Sequence, residues 1–293
     1  MPAEIKYVVH AYAWTSSWSN EDLGLIDHTV ELGLDGIEVP LMELNAVDPE
    51  AIRERAEAAG ADVLSSVGLD REHDPTSADP AVRRNARDFL CRCVEAAAAM
   101  GAPIFTGVTY SALGPVYDHA PTDEERERAA DVLRDVARVA GDHGVTLGIE
   151  PVNRYESFLV NTAAQARELK RMIGEPSVGV HLDAYHMNIE EDEFHAPVAE
   201  TVSELIHFHL SESHRGIPGT GTVDWEAIMR ALVEGGYSGY AGLESFAEIA
   251  DSMRGATCIW RQLAPDSDTL VREGLAYLRD LERVLRNPPD SPG

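Results

Sequence analysis

Residues 5–12 read Ile5-Lys6-Tyr7-Val8-Val9-His10-Ala11-Tyr12, and shortly after comes Trp14-Thr15-Ser16-Ser17-Trp18. The first run is apolar and β-branched enough to form a strand. The second decides the fold. Two architectures alternate short strands with longer helices: an open doubly wound sheet and a closed (β/α)8 barrel. The open sheet usually places a glycine-rich phosphate turn after its first strand. Two indoles flanking Thr and Ser cannot cradle a pyrophosphate, so the barrel is favoured.

The same alternation continues outward from that segment. Further strands are predicted near 36–39, 62–67, 103–108, 145–150, 178–183, 205–210 and 239–244, each a short apolar or alternating run flanked by Gly, Pro or Asp. Amphipathic helices are predicted near 21–33, 49–59, 79–100, 121–143, 162–173, 195–203, 224–234 and 267–286. Asp48-Pro49 and Asp79-Pro80 each set a capping residue before a proline at the first helical position. Gly60, Gly101, Gly144 and Gly235 follow helix ends, where a C-terminal cap needs them. The expected class is α/β, a single (β/α)8 TIM barrel over residues 1–286, with a flexible tail over 287–293.

Composition limits the partners. The 293 residues carry 24 Lys and Arg against 51 Asp and Glu, a formal charge of −27. Nucleic acid and anionic lipid are recognised by Lys and Arg that neutralise phosphates, so neither is expected as a partner. No apolar run approaches the roughly 18 residues of a membrane span. Met1 to Lys6 offers no basic patch followed by an apolar stretch, so no signal peptide is expected. Cys91, Cys93 and Cys258 form no disulfide framework and suit reduced thiols in a cytoplasmic protein.

Barrel chemistry sits where strands end. Strand five ends in Gly148-Ile149-Glu150-Pro151, strand six in His181-Leu182-Asp183, strand seven in His207-Phe208-His209 and strand eight in Gly242-Leu243-Glu244. Four successive strands thus finish on Glu, Asp, His and Glu. Three carboxylates and an imidazole in one pocket would repel without a cation. Oxygen-rich ligation with one imidazole favours one divalent ion, Mn²⁺, Mg²⁺ or Co²⁺, over structural zinc. His207 and His181 lie deeper and read as hydrogen-bonded core histidines. Glu38, ending strand two, reads as a group that orients a ligand or a substrate hydroxyl. Trp14, Trp18 and Phe246 stand at strand exits and are candidate pocket walls. Gly216-Ile217-Pro218-Gly219-Thr220-Gly221 reads as a mobile βα loop.

Four segments together point to a family. They are Glu150-Pro151-x-Asn153-Arg154-Tyr155-Glu156; His181-Leu182-Asp183-x-Tyr185-His186-Met187-Asn188-Ile189-Glu190-Glu191; His207-Phe208-His209-x-x-Glu212-Ser213-x-Arg215; and Gly242-Leu243-Glu244-Ser245-Phe246. In residue type and spacing they closely resemble the D-tagatose 3-epimerase and D-psicose (D-allulose) 3-epimerase family, within the wider xylose-isomerase-like sugar isomerases. Gly36-Ile37-Glu38 and Ile259-Trp260-Arg261 agree with it too. The resemblance implies that Glu150, Asp183, His209 and Glu244 hold the metal, Mn²⁺ foremost, and that Glu150 and Glu244 are the acid/base pair. It implies substrate contacts from Glu156, His186 and Arg215, with Trp18, Leu113 and Phe246 in the substrate pocket. It also implies a homo-oligomer, dimer or tetramer. The chain departs from the family at Tyr110-Ser111-Ala112-Leu113-Gly114, where a Trp is frequent, and at His10, where an aromatic ring is common. Both departures bear on which sugar is preferred.

The implied reaction interconverts C3 epimers of a free ketose of the D-tagatose, D-psicose, D-fructose or L-ribulose type through a cis-enediolate. One carboxylate removes the C3 proton from one face and the other returns a proton to the opposite face. The alternative is an isomerase or dehydratase of the same barrel family acting on a tetrulose, hydroxypyruvate or an inosose. A three-zinc endonuclease barrel would need more clustered His and a basic face. A purely binding barrel would have no use for both carboxylates.

Overall fold

Eight parallel strands pair in sequence order, and the last returns to the first to close a barrel. The computed structural model describes residues 4–114 and 117–287. The strands are β1 (Lys6–His10), β2 (Gly36–Pro40), β3 (Asp62–Leu69), β4 (Ile104–Ala112), β5 (Thr146–Ile149), β6 (Val178–Asp183), β7 (Leu205–His209) and β8 (Tyr240–Leu243). The helices are α1 (Gly24–Glu31), α2 (Pro49–Ala59), α3 (Pro80–Met100), α4 (Asp123–Asp142), α5 (Ala163–Ile173), α6 (Ala184–Glu190), α7 (His195–Thr201), α8 (Trp225–Glu234), α9 (Asp251–Thr257) and α10 (Ser267–Arg286). The expected (β/α)8 barrel is therefore the observed fold. Asn287 closes α10, and the remainder of the expected tail, 288–293, lies outside the described residues. Among the described residues no helix is long and apolar enough to cross a membrane.

Local chemistry explains most boundaries. The Asp48 and Asp79 side chains accept from the backbone N–H of Ala51 and Ala81, and Pro49 and Pro80 begin the helices. Thr122 with Glu125, and Thr162 with Gln165, form reciprocal caps. Gly60 and Gly101 adopt left-handed φ of 71° and 79° as caps. At the end of α8 it is Gly236, not Gly235, that takes positive φ.

Several elements differ from the sequence expectation. The first strand stops at His10, because residues 11–13 turn into a short 3-10 helix whose Tyr12 N–H is capped by His10 Nδ1. The predicted 21–33 helix divides at Gly24, with a 3-10 turn over 20–23 capped by Ser19 and Asp22. Strand β4 runs four residues past its predicted end, and its partner β3 bulges between Gly68 and Leu69 to reach Ala112. Helices α6 and α9 were not predicted.

The barrel interior is layered. Strand residues two apart share a face, so Val8 and His10, Leu64 and Ser66, Ile104 and Thr106, and Gly148 and Glu150 alternate by height. Val8, Leu64 and Ile104 form the lower apolar layer with Ile206 packed against it. A Cβ at Gly179 would lie 2.3 Å from the Ile206 side chain, so glycine there makes room for it. Above this layer the lining becomes polar. The register pairs His10 with Glu38, His181 with His207, and Asp183 with His209. The larger apolar core lies between the barrel and its helices.

Candidate active site

The polar layer ends in a cluster at the C-terminal mouth. Glu150 follows β5, Asp183 ends β6, His209 ends β7 and Glu244 follows β8. His209 Nδ1 lies 3.6 Å from each of three carboxylate oxygens: Glu150 Oε1, Asp183 Oδ2 and Glu244 Oε2. That nitrogen is buried and has no hydrogen-bond partner. The ring's other nitrogen, Nε2, lies 3.0 Å from Glu38 Oε2. A carboxylate only accepts, so Nε2 carries a proton, and Nδ1 faces the three oxygens, presenting them a lone pair whenever the ring is neutral.

This donor set fits a divalent cation. Glu150, Asp183 and His209 offer ligand atoms within 4.8 Å of one another, and all three are buried. Glu244 is the third carboxylate at the same nitrogen, and its Oε2 also accepts from Arg215. Burial works against a charged imidazole at His209, but Glu38, Glu244, Asp183 and Glu150 outweigh it and push its pKa well above the ordinary range. The field that draws a proton to Nδ1 also draws a metal ion. Burial lifts the Glu150 carboxyl above its ordinary range, and Glu244 adds to the lift. At Asp183 burial is overcome by Arg215, His186 and His209, which hold the carboxyl low.

Asp183 serves two partners at once. Its Oδ1 caps α6, accepting from the N–H of Tyr185 at 2.6 Å and His186 at 3.1 Å, which leaves Oδ2 facing His209. Glu38 is fully buried beneath, and its Oε2 also takes the His207 Nε2–H at 2.8 Å. Burial raises the Glu38 carboxyl, but His209, His10 and His207 reverse this and hold it well below the usual range. His181, His207 and His209 also cluster. His207 Nε2 donates to Glu38 and His181 Nδ1 lies 3.0 Å from Thr106 Oγ1, so these two rings are held beneath the mouth, with His181 Nε2 buried and unpaired.

The expected substrate contacts surround the cluster. Arg215 Nη1 donates to Asp183 Oδ2 at 3.2 Å, to Ser211 Oγ at 2.9 Å and to Glu244. Its guanidinium lies 4.0 Å from the Tyr185 ring centre, and Nη2 is 3.3 Å from His186 Nε2. His186 Nε2 lies 4.0 Å from Glu150 Oε1. Asn153 connects this group to Glu156: its backbone N–H donates to His186 Nδ1 at 3.1 Å, and its side-chain amide donates to Glu156 Oε1 at 2.8 Å. Phe246 stacks on Tyr12 and donates its N–H to the Arg215 carbonyl. Leu113 covers Gly68, where a Cβ would lie 2.3 Å from it. Trp18 is buried in the main apolar core with its indole N–H unpaired. Trp14 is turned outward to α1 and α10, where its indole donates to Asp268 beside His28.

Sequence reasoning gave no role to Asn153, Ser211 or Glu212, although Asn153 and Glu212 stood in the quoted segments. It also read 216–221 as a mobile loop. That loop is anchored instead, because the buried Glu212 carboxylate accepts N–H groups from Ser213, Gly219, Val223 and the Trp225 indole. A cavity of about 440 Å³ opens at the opposite end of the barrel, around Pro103, Thr146, Leu205 and Tyr237, and holds no carboxylate or imidazole.

A closed barrel with three carboxylates and one imidazole converging at its C-terminal mouth is an architecture suited to metal-assisted catalysis. Comparison with known proteins makes this specific. Residues 26–281 match the model of the xylose isomerase-like TIM barrel. A ketose 3-epimerase from Arthrobacter globiformis is 36% identical over 279 residues, covering 94% of this chain and 96% of that one. The solved structure of an L-ribulose 3-epimerase superposes with a TM-score of 0.91 at 31% identity, covering 98% of this chain and 100% of that one. A D-allulose 3-epimerase from Methylomonas sp., solved with D-allulose, gives a TM-score of 0.90 at 31% identity over 95% of this chain and 98% of that one. The chain belongs to the xylose isomerase-like TIM barrels and, among them, to the ketose 3-epimerase family.

Proposed function

We propose that the protein is a metal-dependent ketose 3-epimerase that interconverts C3 epimers of a free ketose of the D-tagatose, D-psicose, D-fructose or L-ribulose type. The observation that carries this reading is the placing of Glu150 and Glu244, whose oxygens each lie 3.6 Å from His209 Nδ1. Two carboxylates around one centre can serve opposite faces of a substrate. Glu150, Asp183, His209 and Glu244 would hold the ion, with Mn²⁺ favoured and Co²⁺ or Mg²⁺ as alternatives. A bound divalent cation supplies the Lewis acidity that makes the C–H beside a ketose carbonyl removable.

The protein's own groups do the rest. One glutamate takes the C3 proton, leaving a cis-enediolate, and the other delivers a proton to the opposite face. Arg215, His186 and Glu156 would hold sugar hydroxyls, while Phe246 and Leu113 would shape the apolar side of the pocket and Trp18 would support it from the core. Glu38 would hold His209 in the tautomer that leaves Nδ1 free.

An unphosphorylated substrate fits the charges. Arg154 is paired with Glu190 through both Nε and Nη2 at 2.9 Å, and the N–H groups of Ser213, Gly219 and Val223 point to Glu212. Neither is available as a phosphate cradle. The reading includes a cytoplasmic homo-oligomer, dimer or tetramer, which sedimentation equilibrium tests. The decisive experiment incubates Mn²⁺-loaded protein with free ketoses in D₂O. Deuterium entering C3 together with the C3 epimer supports the reading. Exchange at C1 without C3 would overturn it in favour of an aldose–ketose isomerase.

A further inference from the structure

One fully buried charge takes no part in the chemistry above. Glu212 lies three residues beyond β7 and is completely inaccessible. Its Oε1 accepts from the N–H of Ser213 at 2.8 Å and of Val223 at 3.2 Å. Its Oε2 accepts from Gly219 N–H at 2.9 Å and from the Trp225 indole at 2.9 Å. Four neutral donors, two to each oxygen, therefore replace its hydration shell. Burial pushes this carboxyl up, and those donors reverse the shift and hold it below its ordinary value. Such a charge is costly to bury and strongly fixes whatever satisfies it. The packing leaves little slack, since a Cβ on Gly221 would fall 2.3 Å from Oε1.

The segment fixed in this way carries Arg215. Arg215 is one of only two non-glycine residues among those described with positive φ, at 64°. A long side chain holds such a conformation only where its surroundings over-determine it. The Arg215 N–H donates to the Glu212 carbonyl at 2.7 Å, and its carbonyl accepts from Phe246 N–H at 2.8 Å. The Glu212 backbone thus closes the turn while its side chain ties down the loop that follows.

We propose that Glu212 is a positioning residue: by anchoring residues 213–223 it holds the strained turn that sets the Arg215 guanidinium over Asp183, Glu244 and His186. The role in catalysis rests on the epimerase reading, while the anchoring itself does not. Glu212→Gln keeps the size but turns an amide NH₂ toward backbone or indole N–H groups that need an acceptor. In the full-length, Mn²⁺-loaded protein we expect the KM for the ketose to rise about tenfold, as for the loss of one substrate hydrogen bond, with kcat changed less than KM. Amide exchange at Arg215, Gly219 and Val223 should quicken at least tenfold. Gly221→Ala, which crowds the carboxylate, should move both readouts in the same direction. Trp225→Phe, which removes one donor of four, should move them less. If Glu212→Gln does not fold, the other two variants decide by the same measures. Unchanged KM and unchanged exchange in the folded variants would overturn the proposal and leave Glu212 a purely structural group. If the unaltered protein epimerises no ketose, the functional reading fails, and the exchange rates still judge the anchoring.

Discussion

Replacing Glu38 should weaken metal binding although Glu38 is not placed to touch the ion. Its Oε2 accepts from His209 Nε2 at 3.0 Å and from His207 Nε2 at 2.8 Å. Alanine would strand two buried imidazole N–H groups at about 1–3 kcal/mol each. The resulting loss of about 2–6 kcal/mol is a large part of a typical stability of about 5–15 kcal/mol. Glutamine is the cleaner change, because its carbonyl can still accept while its charge is gone. A hydrogen bond to a charged group contributes about 1.5–3 kcal/mol and a neutral one about 0.5–1.5, so the His209 bond weakens by about 1–1.5 kcal/mol. At 1.4 kcal/mol per factor of ten, Mn²⁺ affinity should fall roughly five- to tenfold, near the low end of the loss of about 10–100-fold usual for groups that orient a metal ligand. Calorimetric titration of folded Glu38→Gln with Mn²⁺ measures this. A dissociation constant within twofold of the unaltered protein would refute the argument that Glu38 prepares His209 for a cation.

Three further outcomes follow from the site and its surroundings. Glu150→Gln and Glu244→Gln should each lower epimerisation by about 10²–10⁴-fold, and the double variant should fall far short of the product of the two losses; steady-state assays on metal-loaded protein check both points. Divalent ion should raise the melting temperature, by the equivalent of about 2.7 kcal/mol at a hundredfold excess over Kd, and a chelator should abolish activity; scanning calorimetry with and without chelator decides. Thiol reagents should modify exposed Cys258 first, while buried Cys93, whose thiol burial pushes up to about 12, should react only on unfolding; mass-spectrometric mapping over time reads the order.

The barrel was legible because its strands and caps carry local signals. Asp48 and Asp79 each cap a helix from the position that sequence patterning assigns to them. The gaps in the reading have physical causes. The end of β4, Thr109-Tyr110-Ser111-Ala112, is rich in hydroxyls and reads as loop, yet all four residues are buried. Two of its hydroxyls find tertiary partners that no local pattern shows, Ser157 for Ser111 and the Glu150 carbonyl for Tyr110. Helices α6 and α9 have seven residues each, too few for a helical period to stand out. The start of α6 was hidden for a second reason: Asp183 reads as a metal ligand, and only the fold shows its other oxygen capping the helix.

The candidate site was legible to a different depth in its different parts. Glu150, Asp183, His209 and Glu244 could be picked out because a strand end is a position of known direction: each side chain either enters the barrel mouth or leaves it. A loop gives no such rule. Glu156, Arg215 and Glu212 are all polar loop residues, and nothing in their spacing says which one faces a sugar and which one faces backbone. The backbone conformation separates them. At Arg215 a positive φ turns the side chain back over the carboxylates, while three residues earlier Glu212 is enclosed by N–H groups from as far along the chain as Trp225. Asn153 shows the same limit. Its backbone N–H fixes Nδ1 of His186, and its side chain holds Glu156, so a residue with no chemistry of its own sets the geometry of two that have it. Groups expected to meet the substrate were thus readable as residue types, whereas those that aim them act through main-chain hydrogen bonds. Such bonds belong to the fold and leave little trace in the sequence, and for that reason 216–221 reads as a mobile loop until the buried carboxylate beside it is seen.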